Sequence, residues 1–360
     1  MKKLFSILLL VSMLIVCLSS CSFLKYKDAY KLIDNGDYEA AYDIFCELGD
    51  YKDAEDEVEK FHYLRTSIVY EEEYEDEKRT KTITISLNEQ NLPSQAIATL
   101  DKGDKYIYDY TYDEKGNLIK GTCTQLNGYK YITDYTYDEN GNLIKEVETY
   151  PNGYKHIYEY TYDEKGNLVK EVYTDFDGDK SITDYTYDKK GNLIKKVDTS
   201  PSGYKDIADY TYDENGNLIK EVDTSSYGDK SITDYTYDEN GNLIKEVHTY
   251  PNGDKHIYEC TYDEKGNLVK EVYTNYIGIN SITDYTYDEK GNLIKEVHTY
   301  SDDSKSITDY TYDEKGNLIN VVKTDSDGKK YIFNLTYKFV YIPFDFSSED
   351  FFKKYLTFAF

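Results

Sequence analysis

The sequence predicts a mainly β fold: a long antiparallel meander of tandem hairpins, twisted into a solenoid- or spiral-like repeat sheet, preceded by a small α-helical segment. Three observations carry this expectation. Tyr-Thr-Tyr-Asp, or Cys-Thr-Tyr-Asp at 260–263, ends at Asp113, Asp138, Asp163, Asp188, Asp213, Asp238, Asp263, Asp288 and Asp313, always 25 residues apart. Each copy continues with two variable residues, Gly-Asn and Leu, as in Asp138-Glu139-Asn140-Gly141-Asn142-Leu143. Every period also carries a second turn signal, such as Asn152-Gly153, and so holds two strands and two turns.

Residues 1–20 come first and stand apart from the fold. Two lysines, an apolar run from Leu4 to Leu18 and the small residues Ser19 and Ser20 read as a secretory signal. The run is too short for a membrane span. Leu18-Ser19-Ser20-Cys21 looks like a bacterial lipobox, which implies cleavage before Cys21 and attachment of a diacylglycerol to its sulfur. Two acyl chains suffice for stable anchoring. The expected location is therefore the outward face of a bacterial membrane.

Residues 21–68 have helical spacing. Ala29, Leu32 and Ile33 share one helix face, and Asn35-Gly36-Asp37 ends that helix. Tyr38, Ala41, Ile44 and Phe45 line a second helix, stopped at Gly49-Asp50, and Ala54, Val58 and Phe61 line a third. Gly36-Asp37-Tyr38-Glu39-Ala40-Ala41 resembles a tetratricopeptide-type hairpin, although one hairpin is too little to form a groove. A spacer and cap for the array is the favoured reading.

The array is expected over 78–337. A degenerate copy aligns Leu87 with Tyr112 and Asn91 with Gly116, and Asn tolerates positive φ better than other non-glycine residues. The first turn suits a three-residue loop with Gly in the left-handed position, and the second a two-residue type I′ turn at Asn127-Gly128 or Asn252-Gly253. One odd and one even loop would keep equivalent residues on one face of an odd-period repeat. That geometry sets Tyr137 opposite Leu143, Tyr135 opposite Lys145 and Asp134 opposite Glu146. One face then carries tyrosine with lysine and valine, and the other an acidic row running Asp134, Glu146, Glu159, Glu171 and onward. The row reads as a solvated face eased by lysines or, more sharply, as weak candidate calcium ligands at Asp134, Glu146 and Glu159. Residues 338–360, rich in Phe, are expected to cap the open edge.

Tyr-x-Tyr-Asp-x-x-Gly-Asn-Leu resembles the YD repeat of the Rhs family, whose usual form has Arg where this chain has Asn117, Asn142 and Asn167. The resemblance covers roughly residues 80–337. It implies long β-sheets that spiral, in large members into a shell around a toxin, and an association with carbohydrate binding. No self-cleaving core or toxin domain is evident after the repeats here.

Composition narrows the function. A formal net charge of −27 argues against nucleic acid and anionic membrane surfaces as partners. Cys46, Cys123 and Cys260 form an odd, scattered set rather than a disulfide framework. His248 and His298 sit two copies apart, too far to share a reaction centre, and no nucleophile–base or phosphate-cradling pattern stands out. The expectation is a non-enzymatic cell-surface lipoprotein without cofactor, calcium aside, that binds a glycan, cell-wall or surface-protein ligand. Tyr150, Tyr250 and Tyr300, near the second turn, are the candidate ligand-binding residues, because tyrosine offers a flat apolar face and a polar tip. The alternatives are a structural spacer or protein-interaction scaffold and a calcium-binding surface protein.

Overall fold

A computed structural model describes residues 25–341, apart from 49–51, 53, 59, 75, 76 and 102. The expected signal peptide, Cys21 and residues 342–360 of the expected cap lie outside the described residues. The chain begins with helix α1 (residues 25–34), α2 (Tyr38–Leu48) and α3 (Ala54–Val58). Gly36, at a φ of 77°, ends α1, where its amide bonds Ile33 O at 2.9 Å and the Asp37 amide bonds Leu32 O at 2.8 Å. Ala29, Ala41, Phe45 and Ala54 are buried together, as the apolar spacing predicts, with Tyr30 set edge-on against Phe45.

Twenty-two strands follow, β1 (Phe61–Tyr74) to β22 (Lys330–Tyr341), each antiparallel to the next. The sheet does not end in open edges. β1 pairs with β2 (Glu77–Leu87) through Ile68↔Ile83 and with β22 through Ile68↔Leu335, which closes the meander into a barrel. The expectation of an open spiral is therefore corrected, and so is the helical reading of residues 61–68. β1 carries no Tyr-x-Tyr-Asp motif, and its run of aromatic and β-branched residues becomes a strand because both neighbours supply hydrogen bonds. An antiparallel meander can close only with an even number of strands, and β1 completes the even set. Closure also removes the edge that the C-terminal residues were expected to cap.

The register sets the barrel's shape. Ile107 in β4 (Lys105–Tyr112) pairs with Thr124 in β5 (Leu118–Gln125), which pairs with Lys130 in β6 (Lys130–Tyr137). Lys130 is two residues short of Ile132, the equivalent of Ile107 one copy on. A stagger of about one residue per strand matches the ratio found in eight-stranded parallel barrels and tilts strands by about 36°. At that tilt the ring is about 40 Å across.

Both turns of the repeat share one geometry. The Asp138 amide bonds Asn142 O at 2.9 Å and the Gly141 amide bonds Asp138 O at 3.2 Å; Tyr150 with Tyr154 and Gly153 with Tyr150 repeat the pattern at 2.9 Å each. In the second turn Gly153 has a φ of 85°, whereas Asn152 is not in the left-handed region, so the expected type I′ turn is replaced by another three-residue loop. With two odd loops, face parity is restored inside the sheet. Tyr137 pairs with Leu143 but Thr136 pairs with Lys145, leaving Ile144 as a one-residue bulge in β7 (Leu143–Thr149). The bulge shifts the rest of the strand, so Tyr135 faces Glu146 rather than Lys145 and Asp134 faces Val147 rather than Glu146. Asn91, at a φ of 60°, takes the glycine position in the degenerate copy.

Candidate interaction surfaces

The corrected register redistributes charge between the two faces. One face carries Asp134, Thr136 and Lys145 with Ile132, Val147 and Ile157. Its charges alternate in sign around the ring. Lysine–carboxylate pairs recur from Lys120–Asp134, through Lys145–Glu159 and Lys170–Asp184, to Lys295–Asp309 at 2.8–3.9 Å. At its two ends the ladder becomes uncharged on one or both sides, with Gln95 Nε2 donating to Asp109 at 2.7 Å and Asn320 Nδ2 donating to Asn334 Oδ1 at 2.9 Å. The pairs are about half exposed, so each contributes at most a few tenths of a kcal/mol. The candidate calcium ligands do not come together. Asp134 and Glu159 lie on this face bonded to lysines, and Glu146 lies on the other. Among the described residues no group of three His, Cys, Asp or Glu is placed to share a metal ion.

The other face carries the tyrosines. The second tyrosine of each Tyr-Thr-Tyr-Asp reaches across to the previous copy. Tyr137 OH donates to Leu118 O at 2.9 Å, and the bond recurs from Tyr162 to Leu143 on to Tyr312 to Leu293. The first tyrosine meets the glutamate row, as when Tyr235 OH donates to Glu221 at 3.2 Å and Tyr310 OH to Glu296 at 3.0 Å. Burial, followed by the nearby carboxylates, pushes the Tyr185, Tyr210 and Tyr310 hydroxyls up to about 12, so these rings stay neutral. The buried cluster of Ile83, Ala96 and Ala98 lies on this face too. A closed ring draws its inner side chains together and spreads its outer ones, so the crowding puts tyrosines and glutamates in the lumen and the lysine ladder on the outer wall.

At the first-turn rim the motif's Asp ties the loop. Asp138 Oδ1 accepts the Asn140 and Asn142 amides at 2.9 and 2.8 Å, and its Oδ2 accepts Asn142 Nδ2 at 2.9 Å. That side-chain bond from Asn142, reinforced by the backbone amides, holds the Asp138 carboxyl below its ordinary range. The helices sit at this same rim. Asn91 Nδ2 donates to Tyr38 OH at 3.0 Å, and Lys315 pairs with Glu39.

The second-turn rim is different. Tyr129, Tyr154, Phe176, Tyr204, Tyr227 and Tyr276 are all exposed there, Tyr227 at 82%. Tyr154 and Phe176 stack at 4.9 Å between ring centroids and 17° between planes. Of the candidate ligand-binding residues, Tyr250 and Tyr300 are exposed near this rim, and Tyr150 is half-buried with its hydroxyl 3.4 Å from Glu148 and His156. The three lie on separate hairpins and form no single pocket. Sequence reasoning missed the more exposed rim aromatics, because they occupy variable loop positions outside the motif.

It also missed a neighbour relation. His248 stands directly opposite His256, a pairing hidden by the register error. Thr233 Oγ1 lies 2.8 Å from His248 Nδ1, and the Tyr250 and Tyr273 hydroxyls lie 3.3 and 3.1 Å from His256 Nδ1. His298 repeats the His248 arrangement with Thr283 at 2.9 Å.

Copies latched to one another through a tyrosine hydroxyl and turned by Asp-Asn loops define a tandem β-hairpin repeat protein. The teneurin YD-shell family model matches residues 54–177, and the RHS-repeat family model matches 187–227 and 212–255. The chain thus carries YD/RHS-type repeats over residues 54–177 and 187–255. Among solved structures, the complex TcdB2-TccC3-Cdc42 is similar at 17% identity and a TM-score of 0.43, over 69% of this chain and 16% of that one. The Photorhabdus luminescens Tc holotoxin pore follows at 14% and 0.30, over 82% and 21%. A porin-like protein from Bacteroides uniformis follows at 12% and 0.30, over 76% and 98%. The chain thus spans less than a quarter of the first two. No curated protein matches it.

Proposed function

We propose that this repeat ring is an exported, lipid-anchored, non-enzymatic binding module that displays its aromatic second-turn rim to carbohydrate or cell-wall ligands. The observation that carries the reading is the concentration of most exposed aromatics, two of them stacked, at one rim. Flat rings with polar tips suit the apolar faces and hydroxyls of sugars. Orientation supports the same reading. The helices attach at the opposite rim, and α1 is helical from residue 25, four positions after Cys21. A diacylglycerol on Cys21 would hold the helical end near the membrane and turn the aromatic rim outward. The barrel itself is ill suited to lipid, because its outer wall carries a lysine–carboxylate pair on hairpin after hairpin instead of an apolar band. Most of its strands are also 7 or 8 residues long, shorter than a membrane-crossing strand. Among the described residues, His156, His248, His256 and His298 each lie within hydrogen-bond distance of a tyrosine or threonine hydroxyl.

The test is binding of the full chain to a glycan array and to purified wall fragments, beside a variant with Tyr154, Phe176, Tyr204 and Tyr227 changed to Ser. Retention of wild type and a loss of at least about tenfold in the variant are expected, the scale of a few truncated aromatic anchors. Failure of the wild type to bind any glycan or wall fragment would leave only the scaffold role.

A further inference from the structure

We infer that the lumen holds a binding site for an organic cation, centred on Gly121. Almost everywhere in the array the position equivalent to Gly121 carries a long side chain: Glu146, Glu171, Lys196, Glu221, Glu246, Glu271 and Glu296. In four copies this glutamate occupies the lumenal surface by accepting a tyrosine hydroxyl from the next hairpin, as from Tyr235 to Glu221. Only at 121 is the residue glycine. Its backbone is not in the left-handed region that would require glycine, and a Cβ added there would meet nothing within 4 Å. Neither backbone conformation nor packing therefore accounts for Gly121. Gly121, bare of a side chain, lies in the wall of a hollow of about 440 Å³, the size of a small-molecule site.

The walls specify the ligand's chemistry. Tyr106 and Tyr108 on β4 and Tyr131 and Tyr135 on β6 flank the hollow, and the carboxylates of Glu146 and Glu148 stand along its β7 side. Burial keeps the Tyr108 hydroxyl protonated well above its ordinary range, so that ring presents a neutral π face. Aromatic faces beside carboxylates attract a desolvated positive charge through the ring quadrupole and through Coulomb attraction. Among the described residues, no lysine or arginine lines the hollow. Quaternary and alkyl ammonium groups fit these features in both charge and volume. The site stands whether or not the rim binds sugars, since none of the exposed rim aromatics Tyr154, Phe176, Tyr204 and Tyr227 lines it.

Calorimetric titration of the full chain with choline, and with its neutral isostere 3,3-dimethyl-1-butanol, tests the inference. Choline is expected to bind at about one per chain, and the isostere at least about tenfold more weakly, the factor expected of a desolvated cation–π contact. Gly121→Glu restores the residue the array uses elsewhere, so it should melt like wild type and lose choline binding by about tenfold or more. Should it fail to fold, Gly121→Val, the residue at the equivalent Val321, fills the hollow instead. Glu148→Gln should weaken choline several-fold and leave the isostere unchanged. Absence of choline heat up to millimolar concentrations, equal binding of the isostere, or undiminished binding in the filled variant would each overturn the site.

Discussion

The ring is built in two ways, and the contrast between its seam and its array shows what the repeat is for. In the array, the lumen is lined by tyrosine and glutamate, and repeated hydroxyls find a carbonyl or a carboxylate. At the seam Ile85 and Leu87 stand in place of the motif's two tyrosines, Ile83 in place of a residue that is mostly Thr, and Ala96 in place of the glutamate. These residues pack with Ile68 of β1 into the sheet's buried cluster, where Ile83 is 1% exposed. A polar lumen holds where every copy meets an identical neighbour, because the partner of each group is always in place. Where β1 and β22 bring unrelated sequences together, no such partner is guaranteed. Apolar packing, which needs no directional match, joins the ends.

The strongest test of that contrast is to truncate one apolar residue on each side. Ile83→Ala should cost about 3 kcal/mol, the usual range for emptying a buried site. Hydrogen exchange of the β1 and β22 amides should accelerate first, since the ring would open at its seam. Ile207→Ala, on the half-exposed outer wall of the array, should cost less than about 1 kcal/mol. Equal costs in chemical denaturation would mean that the seam is not where closure is held.

Next in size is pH dependence, to which the array contributes at both ends of the scale. The turn carboxylates, Asp138 and its equivalents such as Asp163 and Asp238, have folded-state pKa values below the ordinary 3.8, chiefly through the Asn side-chain bond. Their contribution is complete above that value and is lost as pH falls through the lower folded values. The first tyrosines have the opposite sign. Values raised from 10.0 to about 12 mean stability present below pH 10 and lost as pH rises toward about 12. The melting temperature should thus stay level between about pH 5 and pH 9.5 and fall on both sides. A melting curve unchanged from pH 5 to pH 2 would remove the turn aspartates from the stability of the ring. A single latch is smaller again. Tyr187→Phe removes the 2.9 Å bond to Leu168 O and should cost about 1 kcal/mol in denaturant unfolding.

Much of this was legible in the residues. A fixed period, Gly at the turns and alternating tyrosines place two strands in every copy, and the apolar spacing of Ala29, Ala41 and Phe45 marks the helical core. What could not be read was the bulge at Ile144. A loop of even length and a bulged strand satisfy parity equally well, and the choice moves Glu146 from the outer wall to the lumen. Closure was hidden for a different reason. The strand that seals the ring is outside the repeat, and nothing local in Phe61–Tyr74 says which strands it will join. The rim and the Gly121 hollow were missed because both lie where copies differ, whereas a repeat is recognised by where they agree.

One copy departs from its neighbours in the turn itself, and it gives the finest test of how uniform the array is. Asp303 has a φ of 67° where the equivalent residues of the other second turns, such as Gly253 and Gly278, are glycine. Its amide still bonds Tyr300 O at 3.0 Å, so the loop is the same loop with a side chain forced into the left-handed region. That conformation costs an L-residue about 1–2 kcal/mol, somewhat less for Asp. Glycine removes the strain but enlarges the unfolded ensemble, returning about 0.5–1 kcal/mol. Asp303→Gly should therefore stabilise by only a few tenths of a kcal/mol, and Gly253→Asp should destabilise by a similar amount. The two measurements are one substitution run in opposite directions on equivalent turns. Effects equal in size and opposite in sign would show that the copies are energetically interchangeable, and a larger loss at Gly253 would locate the difference in the rings of Tyr250 and His256 that surround that turn.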